Sequence, residues 1–362
     1  SLRHPCSEVR LGNVGVDVIR WVGGQPSIGT AILSGVRGLA IEQGTLWASI
    51  RDDAPGLACD GIGTQGGLFL VHDDRGGVAA PLRAVAGDGD LDAWRPARNA
   101  PTHIALRSPT RRAVAGWREN VFVGADDGAV FNPTSEFGTS LWPLALVWRD
   151  DTHLWIGGRA THSAGDPPNL ADVGPRGVAL VELNESGRVV GHTRFVREWR
   201  EPEASTVRGL PSAEVTDVIT LGSTTYVLCG AERTRAGSLD RLEGEVFTVD
   251  GVERLGGIAR IDERGAITIL AGSGVAPDPR AGALDAEGNL WVLDAREGAL
   301  RWDGSVFEPV AIDLIQQDSL PTALTIDGDA MIASYAGGAY VRLGGREAWI
   351  DGVGFAWESI VR

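Results

Sequence analysis

Apolar and polar positions alternate along most of this chain in short runs, and each run ends within a few residues on Gly, Asp, Asn or Pro. Successive side chains of a strand point to opposite faces, so a period of two predicts half-buried strands joined by tight turns. Windows of Ala, Glu and Leu at helical spacing are missing, and long helices are not expected.

Three runs share one frame. Val36–Ser49, Leu144–Gly157 and Arg280–Leu293 each read as an apolar strand, a polar turn, then Leu-Trp opening a second strand, with Trp47, Trp155 and Trp291 in equivalent places. Val215–Leu228 and Pro321–Ala333 are weaker copies in which Tyr226 and Met331 replace Trp. A Gly-led apolar run follows each copy, at Gly66–Val71, Gly177–Leu183, Gly256–Ile261, Gly298–Trp302 and Gly337–Val341. These read as third strands, with Gly where backbones approach closely. Turns such as Asp262–Gly265 and Asp303-Gly304 lead on to a fourth. Pro101, Pro143, Pro211, Pro279 and Pro321 precede the innermost strands, where a missing N–H costs little.

Four-stranded units of this kind hide their faces only against one another, and closure into a ring is the natural solution. The expected fold is therefore all-β, a single β-propeller domain over residues 1–362. Residues 36–85, 101–140, 143–200, 214–270, 279–312 and 321–353 make six units. Glu358–Val361 resembles an innermost strand, and residues 8–33 supply three outer ones. Joined, they predict seven four-stranded blades of about 52 residues, closed by pairing of the N- and C-terminal strands. Six blades is the alternative, if residues 8–33 only decorate the ring. In 101–140 either His103–Leu106 or Ala113–Trp117 serves as the inner strand.

Charge and composition narrow the functions. All 33 basic residues are Arg, as a GC-rich genome favours, and a lysine-free chain has no Walker-A loop, Schiff-base lysine or Ser–Lys dyad. A net charge of −15 argues against nucleic-acid binding, which needs a basic face. No apolar run is long enough to cross a bilayer, so membrane insertion is not expected. The acidity suits a secreted, periplasmic or cell-surface protein. The chain opens on Ser1 rather than methionine, as after removal of a leader or trimming, origins that the residues do not separate. Cys229, after Tyr226-Val227-Leu228, reads as a buried thiol, whereas Cys6 and Cys59 lie in loop-like sequence and would pair in an oxidising compartment.

Strands alternate in direction, so loops after each second and each fourth strand emerge on one face of the disc. The long irregular segments fall in those classes: Asp52–Gln65, Arg159–Arg176 and Ala231–Gly244 as insertions, Pro81–Ala100 and Arg194–Glu214 as crossovers. That face carries Trp94, Arg95, Arg98, His162, Asp166, Asp172, Arg197, Trp199, Arg200, Arg233, Arg235 and Asp240, and Arg with Trp is the composition of protein-interface hot spots. Arg194–Arg200 is the densest stretch, readable equally as a solvated basic strand edge. Near the starts of the inner strands stand Arg37, His103, Asp217, Arg280 and Glu358, a set for acid–base chemistry or for holding a cation, or else charges that satisfy one another. The Asp doublets at strand turns are turn chemistry before they are calcium ligands, and the six His have no zinc spacing. No cofactor is expected, a divalent cation such as calcium being the one candidate, and no metal ligands are assigned.

The pattern Asp-x-x-Gly-x-Leu-Trp-Val at Asp285–Val292, followed by a Gly-led strand, resembles the periplasmic propeller repeats of two-component regulators. Pro279–Asp294 is also similar to an NHL-type or gluconolactonase-type blade. The first resemblance implies a bacterial sensing module. The second implies a metal held by Glu, two Asn and Asp, and the Asn pair has no counterpart here: Asn289 falls in a turn and the others in loops or strand ends. The leading expectation is a non-enzymatic scaffold that presents its elaborated face to a protein or glycan partner. A metal-assisted hydrolase or lyase of lactonase type at the channel mouth, and a ligand-sensing module, are the alternatives.

Overall fold

The computed structural model describes residues 145–158, 177–185, 188–197, 207–233, 245–312 and 320–326 with their side chains, shorter stretches to 347, and the backbone alone of the other strands named below. Every regular element among these residues is a strand, and no helix is long and apolar enough to cross a membrane.

Six sheets follow one another along the described chain, each pairing its strands in chain order. The first contains Val36–Glu42, Thr45–Ile50, Gly67–His72 and Ala80–Pro81. The second contains His103–Ser108, Arg111–Ala115, Val121–Gly124 and Val130–Phe131. Pro143–Trp148, His153–Gly158, Val178–Leu183 and Val189–Val196 make the third, and Thr206–Arg208 joins its outer edge in parallel. The fourth is Val215–Leu221, Thr224–Cys229, Gly257–Ile261 and Ile267–Ala271. The fifth is Pro279–Leu284, Leu290–Asp294, Gly298–Trp302 and Phe307–Val310. Pro321–Asp327, Ala330–Tyr335, Gly338–Leu343 and Arg346–Asp351 complete the sixth.

The first strand of each sheet packs against the first strand of the next, and Pro321–Asp327 packs in turn against Val36–Glu42. His103–Ser108, not Ala113–Trp117, is thus the inner strand of the second sheet. The N- and C-terminal strands pair with each other as expected, but not as a single four-stranded sheet. Val18–Val22 pairs with Gln25–Ser27 and with Ser359–Ile360, and Leu33–Ser34 pairs with Ala356–Trp357, giving a three-stranded and a two-stranded sheet. The sixth sheet draws all four of its strands from its own segment.

The repeated aromatic position explains why neighbours stack. Trp155 of the third sheet packs with Phe195, at 5.3 Å between rings, and with Val215 and Val218 of the fourth. Tyr226 of the fourth lies with Leu290 and Val292 of the fifth. Trp291 of the fifth lies with Leu324, Met331 and Tyr340 of the sixth. Each ring removes a large apolar area from water that its own sheet cannot cover. Glycine permits the close backbone approach within sheets: a Cβ on Gly256 would stand 1.9 Å from the Cys229 carbonyl oxygen. The turns are held by Asp side chains. Asp262 Oδ1 accepts the N–H groups of Arg264 and Ala266, both at 2.9 Å, and Asp150 Oδ1 those of Thr152 and His153.

Candidate functional site

The inner strands begin in a common way. The pairing register slips at the second residue in five of the six, at Arg37, Leu144, Thr216, Arg280 and Thr322. Arg37 and Arg280 accordingly hold equivalent places at the starts of their strands. In the second sheet the slip lies instead between Leu106 and Ser108. His103 opens that inner strand.

Around Arg280 the fourth and fifth sheets share a buried charge network. Asp278, just before the fifth inner strand, is sealed from solvent, and Arg280 Nη2 lies 2.8 and 3.0 Å from its two oxygens. Arg233, from the insertion of the fourth sheet, donates to Asp278 Oδ2, while Asp278 Oδ1 accepts the Ala231 N–H at 2.8 Å. Arg280 Nη1 also approaches Glu214 at 4.0 Å. Glu214 holds the place before the fourth inner strand that Asp278 holds before the fifth. Burial raises the Asp278 carboxyl, but Arg280 and Arg233 outweigh it and keep the group below the usual carboxylate range. Asp294 takes the N–H groups of Asp278, Arg296 and Glu297, and burial together with the Asp278 carboxylate pushes it upward. Glu232, fully buried, accepts from Ala213 N–H at 3.2 Å and Arg197 Nη1 at 3.5 Å.

Asp217 ties the same two sheets lower down, where its oxygens accept the Gly282 and Val218 N–H groups, each at 2.8 Å. Burial pushes its carboxyl up to about 7 against those two hydrogen bonds. The Cys229 thiol beside the network is pushed up to about 12 by burial, as an unreactive core group.

On the elaborated face the insertions of the third and fourth sheets meet. Thr161–His162 runs parallel to Arg233–Thr234, so that His162 lies opposite Thr234. The fourth-sheet insertion then forms a hairpin, Thr248–Val249 with Val252–Glu253. Between this hairpin, the crossover at Gly209–Pro211 and the turn at Gly272–Ser273 lies a cleft of about 570 Å³, also lined by Arg197, Arg254, Leu255 and Ile269. Glu253 on its rim is held by Arg296 through two hydrogen bonds of 2.9 Å.

Of the sequence candidates, the structure brings Arg233 and Arg280 together on Asp278 and places Arg197 in the cleft. Arg194 and Phe195 belong to a strand and are buried, so the stretch from Arg194 is not wholly a loop. Glu358, Trp94, Arg95, Arg98, Asp166, Trp199, Arg200 and Arg235 lie outside the described residues, as do Cys6, Cys59, Asp172 and Asp240. The sequence reading missed Asp278, Glu232, Glu214 and Asp294. An acid immediately before two inner strands was the signal for Asp278 and Glu214. Among the described residues no group of three or more His, Cys, Asp or Glu is arranged to hold a metal ion.

No protein-family model matches the chain, and no curated protein matches it. Solved structures do match. The extracellular domain of a putative one-component system from B. thetaiotaomicron is 13% identical, with 93% of this chain and 39% of that one covered and a TM-score of 0.52. Virginiamycin B lyase from Staphylococcus aureus is 11% identical over 88% of this chain and 85% of that one, also at 0.52. The extracellular domain of a putative hybrid two-component system from B. thetaiotaomicron is 12% identical over 91% and 36%, at 0.51. The fold is that of the β-propellers. At such identities the likeness is one of fold, and this chain spans well under half the length of both extracellular-domain chains.

Proposed function

We propose that this chain is a single propeller domain of six blades that acts outside the cytoplasm as a binding protein, taking a protein partner on its elaborated face. The cycle of contacts from Val36–Glu42 through the inner strands to Pro321–Asp327 supports six blades. Extracellular sensor domains among the fold neighbours, with the net charge of −15, support the location.

The observation that carries binding is the cleft between hairpin and crossovers. Val252 is 69% and Ile269 48% exposed on its walls. Apolar side chains left open on a rigid frame, next to arginine, are what a protein interface buries. Catalysis at the channel mouth has one supporting observation, the Asp217 carboxyl near neutrality. Both its oxygens already accept backbone N–H groups, and Asp278 and Glu232 are likewise taken up by arginine and backbone. These carboxylates read as ties between blades.

A photo-crosslinking residue at Val252, compared with one at Glu263 on the opposite-face turn, tests the binding face in the native host. One dominant protein adduct from position 252 and none from 263 is expected. The reverse pattern, or equal background from both, would overturn it.

A further inference from the structure

We propose that the cleft accepts an extended acidic peptide, with a branched apolar side chain between Val252 and Ile269 and a carboxylate directed to Arg254 and Arg197. The inference rests on the binding function proposed above and adds the chemistry of the occupant.

Charge is the first argument. The chain carries −15 overall, yet this cleft is locally cationic. Its one acid, Glu253, is already engaged by Arg296. Arg254 is half-buried in the wall, and its guanidinium has no ion-pair partner among the described residues. Among the described residues Arg197 gives one long hydrogen bond, 3.5 Å to Glu232, which leaves most of its planar fork to a ligand. A guanidinium fork pairs best with a carboxylate.

Shape is the second. The apolar wall continues from Val252 and Ile269 to Leu210, Pro211, Val249 and Leu255. A Cβ on Gly272 at the rim would meet nothing within 4 Å, so the rim is open. Ile267–Ala271 is the outermost strand of its sheet, and nothing pairs with its outer edge among the described residues. In the third sheet the corresponding edge carries Thr206–Arg208 in parallel. An extended segment is the backbone form such an edge accepts.

The test is fluorescence anisotropy on the whole chain with the labelled peptide Gly-Ser-Ile-Asp-Val-Glu-Ser-Gly. A version with Lys for Asp and Glu, a version with Ser for Ile and Val, and tetragalacturonate as an anionic sugar competitor complete the set. The acidic apolar peptide is expected to bind about tenfold or more tightly than either counterpart, and more weakly as salt is raised. Arg254→Glu and, separately, Val252→Ser are each expected to weaken it about tenfold, while Arg254→Gln lies between wild type and Arg254→Glu. All three lie on the exposed hairpin or its stem, and unchanged urea midpoints would show that they fold. Binding of the Lys peptide through Val252 would overturn the charge assignment and leave the binding face standing. Displacement by tetragalacturonate with no preference for Ile and Val would overturn the peptide. An adduct at Val252 without binding of any peptide would overturn this inference alone, and silence in both experiments would overturn both.

Discussion

Replacing Asp278 by Ala removes the one carboxylate to which both Arg233 and Arg280 donate. The side chain of Arg280 is 6% exposed and that of Arg233 13%, so Arg280 above all stays desolvated when its partner is removed. After the change Arg280 keeps, among the described residues, Glu214 at 4.0 Å, and the Ala231 N–H loses its 2.8 Å acceptor. Breaking a buried pair by removing one partner costs about 3–5 kcal/mol, because the other charge stays desolvated. A loss of about 4 kcal/mol lowers the folding equilibrium constant roughly a thousandfold and removes a large share of a typical domain stability. Equilibrium urea unfolding at neutral pH, followed by tryptophan fluorescence, measures it from midpoint and slope. The companion variant carries Asp278→Ala with Arg280→Met, which removes the charge left desolvated and keeps most of the volume. It is expected to regain at least half of the loss. A loss below about 1 kcal/mol for Asp278→Ala would refute the reasoning, and so would a companion no more stable than the single variant.

Asp217 ionises at about 7 in the folded chain and near the ordinary carboxylate value when unfolded, so folding favours its protonated form. Stability should be greatest below about pH 4 as far as this group is concerned and fall as pH rises towards 7; Asp217→Asn should flatten that part of the urea-midpoint profile. Trp155→Ala, which empties the interface between the third and fourth sheets, is expected to cost about 3–5 kcal/mol by the same unfolding measurement. Gly256→Ala should lower stability more than Gly274→Ala, since a Cβ at Gly256 would lie 1.9 Å from backbone while one at Gly274 meets nothing within 4 Å and sits on ordinary backbone; thermal denaturation of the pair decides this. In a background with Cys6→Ser and Cys59→Ser, Cys229 should resist a thiol reagent until urea unfolds the chain; rapid labelling of the native protein would contradict its burial.

The repeat was legible because packing imposes it on the sequence. A bulky side chain early in the second strand faces the next sheet, so Trp155, Tyr226 and Trp291 recur at the same place in their units. Every strand pair needs a turn, so Asp150, Asp262, Asp285 and Asp303 stand where their oxygens catch the following N–H groups. These are local demands, met within a few residues or repeated from unit to unit. The inner-strand candidates Arg37 and Arg280 were found in the same way, because their place in the frame is the same.

What the frame does not encode, only the tertiary structure decided. Asp278 is followed through space by Arg233, 45 residues earlier, and Arg197 by Glu232, 35 residues later. Each segment alone reads as an ordinary polar loop. The pairing of Thr161–His162 with Arg233–Thr234 and the cleft beneath the hairpin likewise come from loops of different blades brought to one face. Strand periodicity reports which side of a sheet a residue occupies. Which charge it meets across a blade boundary depends on the twist and spacing of neighbouring sheets, and that information exists only once the sheets are packed.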